Sequence, residues 1–430
     1  MRKILASCGT LTAAILISLF VQVVTAAAGG QLGQPSVTQA GTFGGIAYVQ
    51  ADGIFEGQTS TGSYRVPYRI TAPADPNRGN RTVLVEPPHA VAGLGALQTF
   101  LGRTFLLSRG FAHAGIGWGT TRFPQGGDRR ILDPTAAGVF INGGVHDKNG
   151  RTDDEIIADF GRALAVDATA LQLLGRVERR YLTGFSDSSD PVLRLVTSGR
   201  AAGAFEFALP IIASGHDPQA ALTAGLYGGK VIVVNSEAEG ASASFVDRGA
   251  FPDQYRLFAV AGTPHRLDPL VPNPLNRTTP ASYQPALRAH FLDGHDWVRV
   301  GTRPPPSTRL KTADDGTLAR DANGNAIAVN ASGQPVPRLP IVEIGEAHFI
   351  SAFIGSYDTV KTIVGLGFEN HTAYLRAFEA RVADYSRAGY ILREDADAMS
   401  SRAALCPPLT FTETYRDHYD AFVAIAPCDR

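Results

Sequence analysis

Through its first 270 residues the chain alternates short apolar runs with amphipathic stretches. "GIAYVQADGIFEG" and "SYRVPYRITAP" place apolar and polar residues in turn and are separated by Gly, Thr and Ser, which predicts an antiparallel hairpin. "RTVLVEPPHA" predicts a strand that stops at a Pro-Pro loop, and "ALQTFLGRTFLLSRGFAHAGIGWG" a helix leading into a further strand. A helix is expected from "TDDEIIADFGRAL", where Thr152 and Glu155 stand in capping-box spacing. Then come four strand-like runs: "RRYLTGF", "AFEFALPIIAS", "KVIVVNSEAEG" and "QYRLFAVAGTPH". They are rich in Val, Ile, Leu and Phe, lack alternation, and are separated by helical stretches. Such strands must be buried on both faces, so the expected fold class is α/β, a mostly parallel sheet flanked by helices.

Beyond residue 270 the pattern changes. Pro- and Asn-rich "VPNPLNRTTP" precedes a helix around "YQPALRAHFLDGHDWVRVG", and "ADDGTLARDANGNAIAVNASGQPV" reads as a polar surface hairpin. "DANGN" has calcium-loop residue types but no twelve-residue loop closed by Glu, so it is read as turn chemistry. "HTAYLRAFEARVADYSRAG" and "REDADAMSSRAAL" are helical. One domain is expected over residues 29–430. Its core spans about 45–270, and helical and loop additions over 271–430 pack back on it without a second sheet core. Gly-, Gln- and Thr-rich residues 29–44 are expected to fray.

The ends add a compartment. Arg2 and Lys3, the apolar "LTAAILISLFVQVV" and the small residues "TAAAGG" form the three regions of a signal peptide over residues 1–28. "LASC" precedes the apolar stretch, so lipidation of Cys8 is not expected. No other run reaches the ~18 apolar residues of a membrane span. The mature chain is therefore expected in the periplasm or secreted, where Cys406 and Cys428 would form a disulfide. With 39 basic and 40 acidic residues, the charge balance favours neither nucleic acid nor an anionic membrane. A small-molecule substrate is the natural partner.

The candidate chemistry lies where the strand-like runs end. "GFSDS" almost spells the strand-to-helix elbow G-x-S-x-G, with Ser188 in place of the second glycine. Ser186 follows "RRYLTGF", Glu237 and Glu239 follow "KVIVVN", and His265 follows "RLFAVAGTP". That is the chain order nucleophile, acid, histidine. Parallel strands end at one sheet edge, so loops after three of them converge. Glu239, three residues past Ser236, is the first choice for the acid; Glu237 is the alternative or a supporting partner. The oxyanion hole is expected from the backbone N–H of Asp187 and from His89 or Ala90, since Pro87 and Pro88 have no N–H. His113 and Trp118 are candidates to line the pocket, with core packing as the other reading. His290, Asp293, His295 and Asp296 have metal-ligand types, but "HFLDGHDW" fits a helix and no metal is assigned.

In five segments the chain resembles a bacterial group of exported α/β-hydrolase-domain proteins with a G-x-S-Q-S elbow. These are "GFSDS" (184–188), "SEAE" (236–239), "AGTPH" (261–265), "WVRVGTRPPPS" (297–307) and "GYILREDADAM" (389–399). Asp187 stands where that group usually has Gln. The resemblance implies the α/β-hydrolase fold, serine in place of the second glycine as a habit of the group, and a serine hydrolase of carboxylic esters or lactones needing no cofactor. A non-catalytic ligand-binding protein on the same scaffold is the alternative.

Overall fold

The computed structural model describes residues 29–60, 62–88, 101–118, 151–242, 247–265, 279, 281–353, 355–359 and 361–404. Among these, a twelve-stranded sheet forms the centre. Its chain begins with β1 (Gly30–Leu32), β2 (Ser36–Phe43), β3 (Ile46–Thr59), β4 (Gly62–Pro73), β5 (Thr82–Glu86) and β6 (Ala112–Ile116). It continues with β7 (Arg179–Phe185), β8 (Phe207–Ile211), β9 (Lys230–Ser236), β10 (Tyr255–Val260), β11 (Thr308–Leu310) and β12 (Ala328–Asn330). The spatial order is β1-β3-β4-β6-β5-β7-β8-β9-β10-β11-β12, with β2 beside β3.

The predicted hairpin is β3–β4, antiparallel from Tyr48↔Pro73 to Thr59↔Gly62. From β6 to β11 every neighbouring pair is parallel. The exchange of β5 and β6 in the order, followed by regular progression, is the strand order of the α/β-hydrolase fold. Helices cover both faces: α1 (Arg151–Ala163) and α2 (Ser189–Thr197) bury Ile156, Phe160, Val192 and Val196 on one. On the other, α3 (Gln284–Val300) and α4 (His371–Arg387) contribute Leu287, Phe291, Trp297, Tyr374 and Phe378. The strands fill the space between, which explains why β5 and β10 are buried at every position. No helix among the described residues is long and apolar enough to cross a membrane.

Three expectations need correction. Residues 29–44 are not frayed in the structure. β1 and β2 share the outer edge of β3, from Gly30↔Gly57 and Ser36↔Asp52 onward. The polar run 313–336 is not merely a surface hairpin, because its strand β12 pairs with β11, which lies just before it and joins the main sheet beside β10 at Phe258↔Thr308. Finally, α1 already includes Arg151 and Thr152, so Thr152 lies within the helix rather than before it. The signal segment, Cys406 and Cys428 lie outside the described residues.

The additions are tied to the core through buried charge. Arg288 of α3 donates to Asp395 at 2.8 Å and to the Leu101 carbonyl at 2.8 Å, joining α3 to the helix α5 (Arg393–Ala403). Burial raises the Asp395 carboxyl above its usual range, and Arg288 opposes that shift.

Candidate active site

β7 ends at Phe185, and the chain turns at once through a short 3₁₀ helix, Ser186–Ser188, into α2. Ser186 has φ of 50°, a left-handed conformation that costs a non-glycine residue about 1–2 kcal/mol. The surroundings hold it there. The Phe185 N–H donates to Ser188 Oγ at 2.9 Å, and that hydroxyl donates back to the Phe185 carbonyl at 3.1 Å. Ser189 Oγ donates to the Ser186 carbonyl at 2.5 Å. A Cβ at Gly184 would collide with the Ser188 carbonyl, so the elbow closes only with glycine there. Two of the three serines are thus occupied in holding the turn. The third, Ser186, presents Oγ to His265.

Ser186 Oγ lies 2.9 Å from His265 Nε2, and His265 Nδ1 is hydrogen-bonded to Glu239 Oε1. The partners fix the tautomer: Nδ1–H donates to the carboxylate, leaving Nε2 to accept the serine proton. The second oxygen of Glu239 accepts from Ser236 Oγ, which in turn accepts from the Ala238 N–H at 3.1 Å. Glu239 therefore cannot swing without breaking a network that starts at the last residue of β9. The His265 and Glu239 side chains are 15% and 12% exposed, open enough to be reached and dry enough to strengthen the bonds.

Glu237 has a different position. It is buried, accepts from the Gly262 N–H at 2.7 Å, and pairs with Arg320 Nη1 at 3.1 Å. Its own N–H donates to the Thr263 carbonyl at 3.1 Å. It therefore clamps the loop that carries His265 and makes no contact with the imidazole. Arg320 also donates to the Gly324 carbonyl at 2.8 Å, so the C-terminal additions take part in the clamp. A second hold comes from the Ala352 carbonyl, which accepts from the His265 N–H at 3.1 Å. Neither partner could be read from the sequence around the histidine, because both come from the additions.

Of the remaining candidates, Asp187 is the middle residue of the 3₁₀ turn that follows β7, while His89 and Ala90 lie outside the described residues. His113 is fully buried in β6, with Nε2 2.8 Å from Glu86. Trp118 is buried too, donating Nε1–H to the Pro88 carbonyl at 2.7 Å, which ties it to the Pro-Pro loop. The metal-type residues of α3 are engaged otherwise. His290 stacks on Phe258 with ring centroids 3.4 Å apart and bonds Asp293 at 3.0 Å, and His295 Nδ1 lies 2.8 Å from the Tyr181 hydroxyl. In "DANGN", Asp321 Oδ1 accepts from the Asn323 and Asn325 N–H groups, which is turn chemistry.

The sequence matches the family model described as the alpha/beta hydrolase domain over residues 39–401. No curated protein matches it. Among solved structures it is similar to an S-formylglutathione hydrolase from Agrobacterium tumefaciens, at 10% identity and TM-score 0.32, covering 53% of this chain and 91% of that one. A cold-adapted esterase from an Arctic intertidal metagenomic library matches at 18% identity and TM-score 0.28, over 44% and 73% of the two chains. A tannin acyl hydrolase from Aspergillus niger matches at 16% identity and TM-score 0.27, over 45% of this chain and 34% of that longer one. At these scores the pairings add nothing to the fold read from the topology.

Proposed function

The chain belongs to the alpha/beta hydrolase domain family, and from that premise we propose that it is a serine hydrolase that cleaves carboxylic esters through an acyl-enzyme. The observation that carries the proposal is the unbroken hydrogen-bonded line Ser186–His265–Glu239, built on a strained elbow. His265 Nε2 takes the proton of Ser186 Oγ as that oxygen attacks the ester carbonyl. Glu239 stabilises the imidazolium that forms and keeps Nε2 aimed at the serine. The backbone N–H of Asp187, with His89 or Ala90, would hold the oxyanion. The imidazolium then donates its proton to the leaving alcohol oxygen as the C–O bond breaks. Water repeats the sequence on the acyl-serine and frees the acid.

The signal-like residues 1–28 support a place for this reaction outside the cytoplasm. The strain at Ser186 favours catalysis over simple ligand binding, because a binding protein gains nothing from holding a serine at positive φ. A panel of p-nitrophenyl esters of graded acyl length tests the proposal. Turnover by the wild-type chain and its loss in Ser186→Ala support it, and equal turnover by both proteins overturns it.

A further inference from the structure

Outside the main sheet, β13 (His348–Ile350) pairs antiparallel with β14 (Ser356–Asp358). The tip of this pair is fastened to both ends of the segment that follows the catalytic histidine. The Ala352 carbonyl accepts from the His265 N–H at 3.1 Å, and the Gly355 carbonyl accepts from the Thr279 N–H at 3.3 Å. A Cβ at Gly355 would come within 2.6 Å of both Pro264 and Thr279, so the tip approaches at backbone distance.

Phe353 directly follows the first of these anchors. Its ring stacks on the His265 imidazole with centroids 4.6 Å apart and planes 23° from parallel, yet it is 60% exposed. Ile350, at the end of β13, is also exposed. An aromatic ring held in place by backbone bonds on either side and left open to water is an unfilled apolar contact.

We infer that Phe353 is the platform for the alcohol part of the ester and selects aromatic or bulky apolar alcohols over short ones. This rests on the ester-hydrolase reading above. The physical reason is directional. His265 Nε2 must reach the leaving oxygen within about 3 Å to protonate it. Whatever carbon skeleton that oxygen carries therefore lies beside the imidazole, within reach of the ring stacked on it. The acyl chain is held away from this side, because its carbonyl oxygen must point to the Asp187 N–H on the elbow. As the C–O bond breaks, the imidazolium gives its proton to the oxygen and the neutral alcohol forms against Phe353.

The test uses matched esters that differ only in the alcohol: benzyl butyrate and ethyl butyrate, whose alcohols have similar leaving ability. The wild-type chain is expected to prefer the benzyl ester. Phe353→Ala is expected to lower kcat/KM for benzyl butyrate about tenfold more than for ethyl butyrate, the scale of one lost aromatic contact. Phe353→Trp should keep the preference. Phe353→Leu, which preserves apolar packing if the alanine variant melts early, should lose most of it. Equal losses on both esters would overturn the inference while leaving the hydrolase assignment intact, since the ring would then only position His265. A preference that follows the acyl chain in matched methyl esters would overturn it as well. Failure of the wild-type chain to hydrolyse either ester, together with failure to react with a fluorophosphonate, would overturn both.

Discussion

Two glutamate–histidine pairs flank the strand that carries Ser186, and they are built from the same groups in opposite ways. On one side, Glu86 at the end of β5 meets His113 of β6 through Nε2, with both side chains essentially sealed at 2% and 0% exposure. The other ring nitrogen, His113 Nδ1, is buried with no hydrogen-bond partner. On the other side, Glu239 meets His265 through Nδ1, and Nε2 is turned to Ser186 in a site that solvent can reach. A histidine beside a carboxylate is therefore not in itself a reactive unit. What the far nitrogen faces decides between a base and a fixed joint of the core.

The comparison can be broken most sharply at the far nitrogens. His265→Ala is expected to lose activity by about 10³-fold or more while the fold persists, because the serine then has no base. An ester assay with circular dichroism on the same preparation measures both. His113→Ala should do the reverse. It leaves Glu86 buried without its imidazole partner and should cost about 2–3 kcal/mol of stability, seen as a lower melting midpoint. The folded fraction should keep far more activity than His265→Ala does. If His113→Ala is as inactive as His265→Ala, yet folded, the two pairs are not functionally distinct.

A smaller effect sharpens the reactive pair. Glu237→Ala removes the acceptor of the Gly262 N–H and frees the loop ahead of His265. It is expected to lower kcat about tenfold with little change in KM, as a slight misplacement of the imidazole would. Glu237→Gln, which still offers an oxygen to Gly262, should recover most of that loss. A change in KM alone would mean that Glu237 acts on the substrate and not on the loop.

The smallest effect concerns a histidine with no carboxylate bonded to it. Burial, with the nearby Arg179 guanidinium adding to it, lowers the His295 pKa to about 4. Its folded value thus lies below the unfolded one of about 6.5. The neutral ring is favoured in the fold, so this stabilising contribution is present above pH 6.5 and is lost as the pH falls toward 4. Asp154 works the other way, since burial raises its carboxyl to about 6, and its protonated form gains as the pH falls. The difference in melting midpoint between pH 7 and pH 4.5 should therefore shrink in His295→Gln relative to wild type. No change would place the acid sensitivity elsewhere.

Much of this arrangement was legible in the sequence, for a physical reason. The parallel strands are buried on both faces, so β7 to β10 appear as apolar runs, and Ser186, Glu239 and His265 stand within a few residues of the ends of β7, β9 and β10. Gly184 marked the elbow because only a missing Cβ lets Ser188 close against it. What escaped were contacts without a burial pattern. β2 is exposed along most of its length, so nothing in its Gly- and Thr-rich sequence announces pairing with β3. β11 and β12 span three residues each, too short for a period to appear. Glu237 was visible as a carboxylate, but its clamp on Gly262 and Arg320 depends on chain segments brought together only by the fold. Likewise, His113, near the end of a strand-like run, left pocket lining and core packing both open in the sequence, and its contact with Glu86 of β5 arises only in the fold.

The assignment of Ser186 as the nucleophile is tested most directly by treating the protein with a fluorophosphonate and mapping the adduct by peptide mass spectrometry. A hydroxyl activated by His265 should react at Ser186 alone, and labelling should vanish in His265→Ala while His113→Ala remains labelled. An adduct on Ser188 or Ser189, or full labelling of Ser186 without His265, would contradict it.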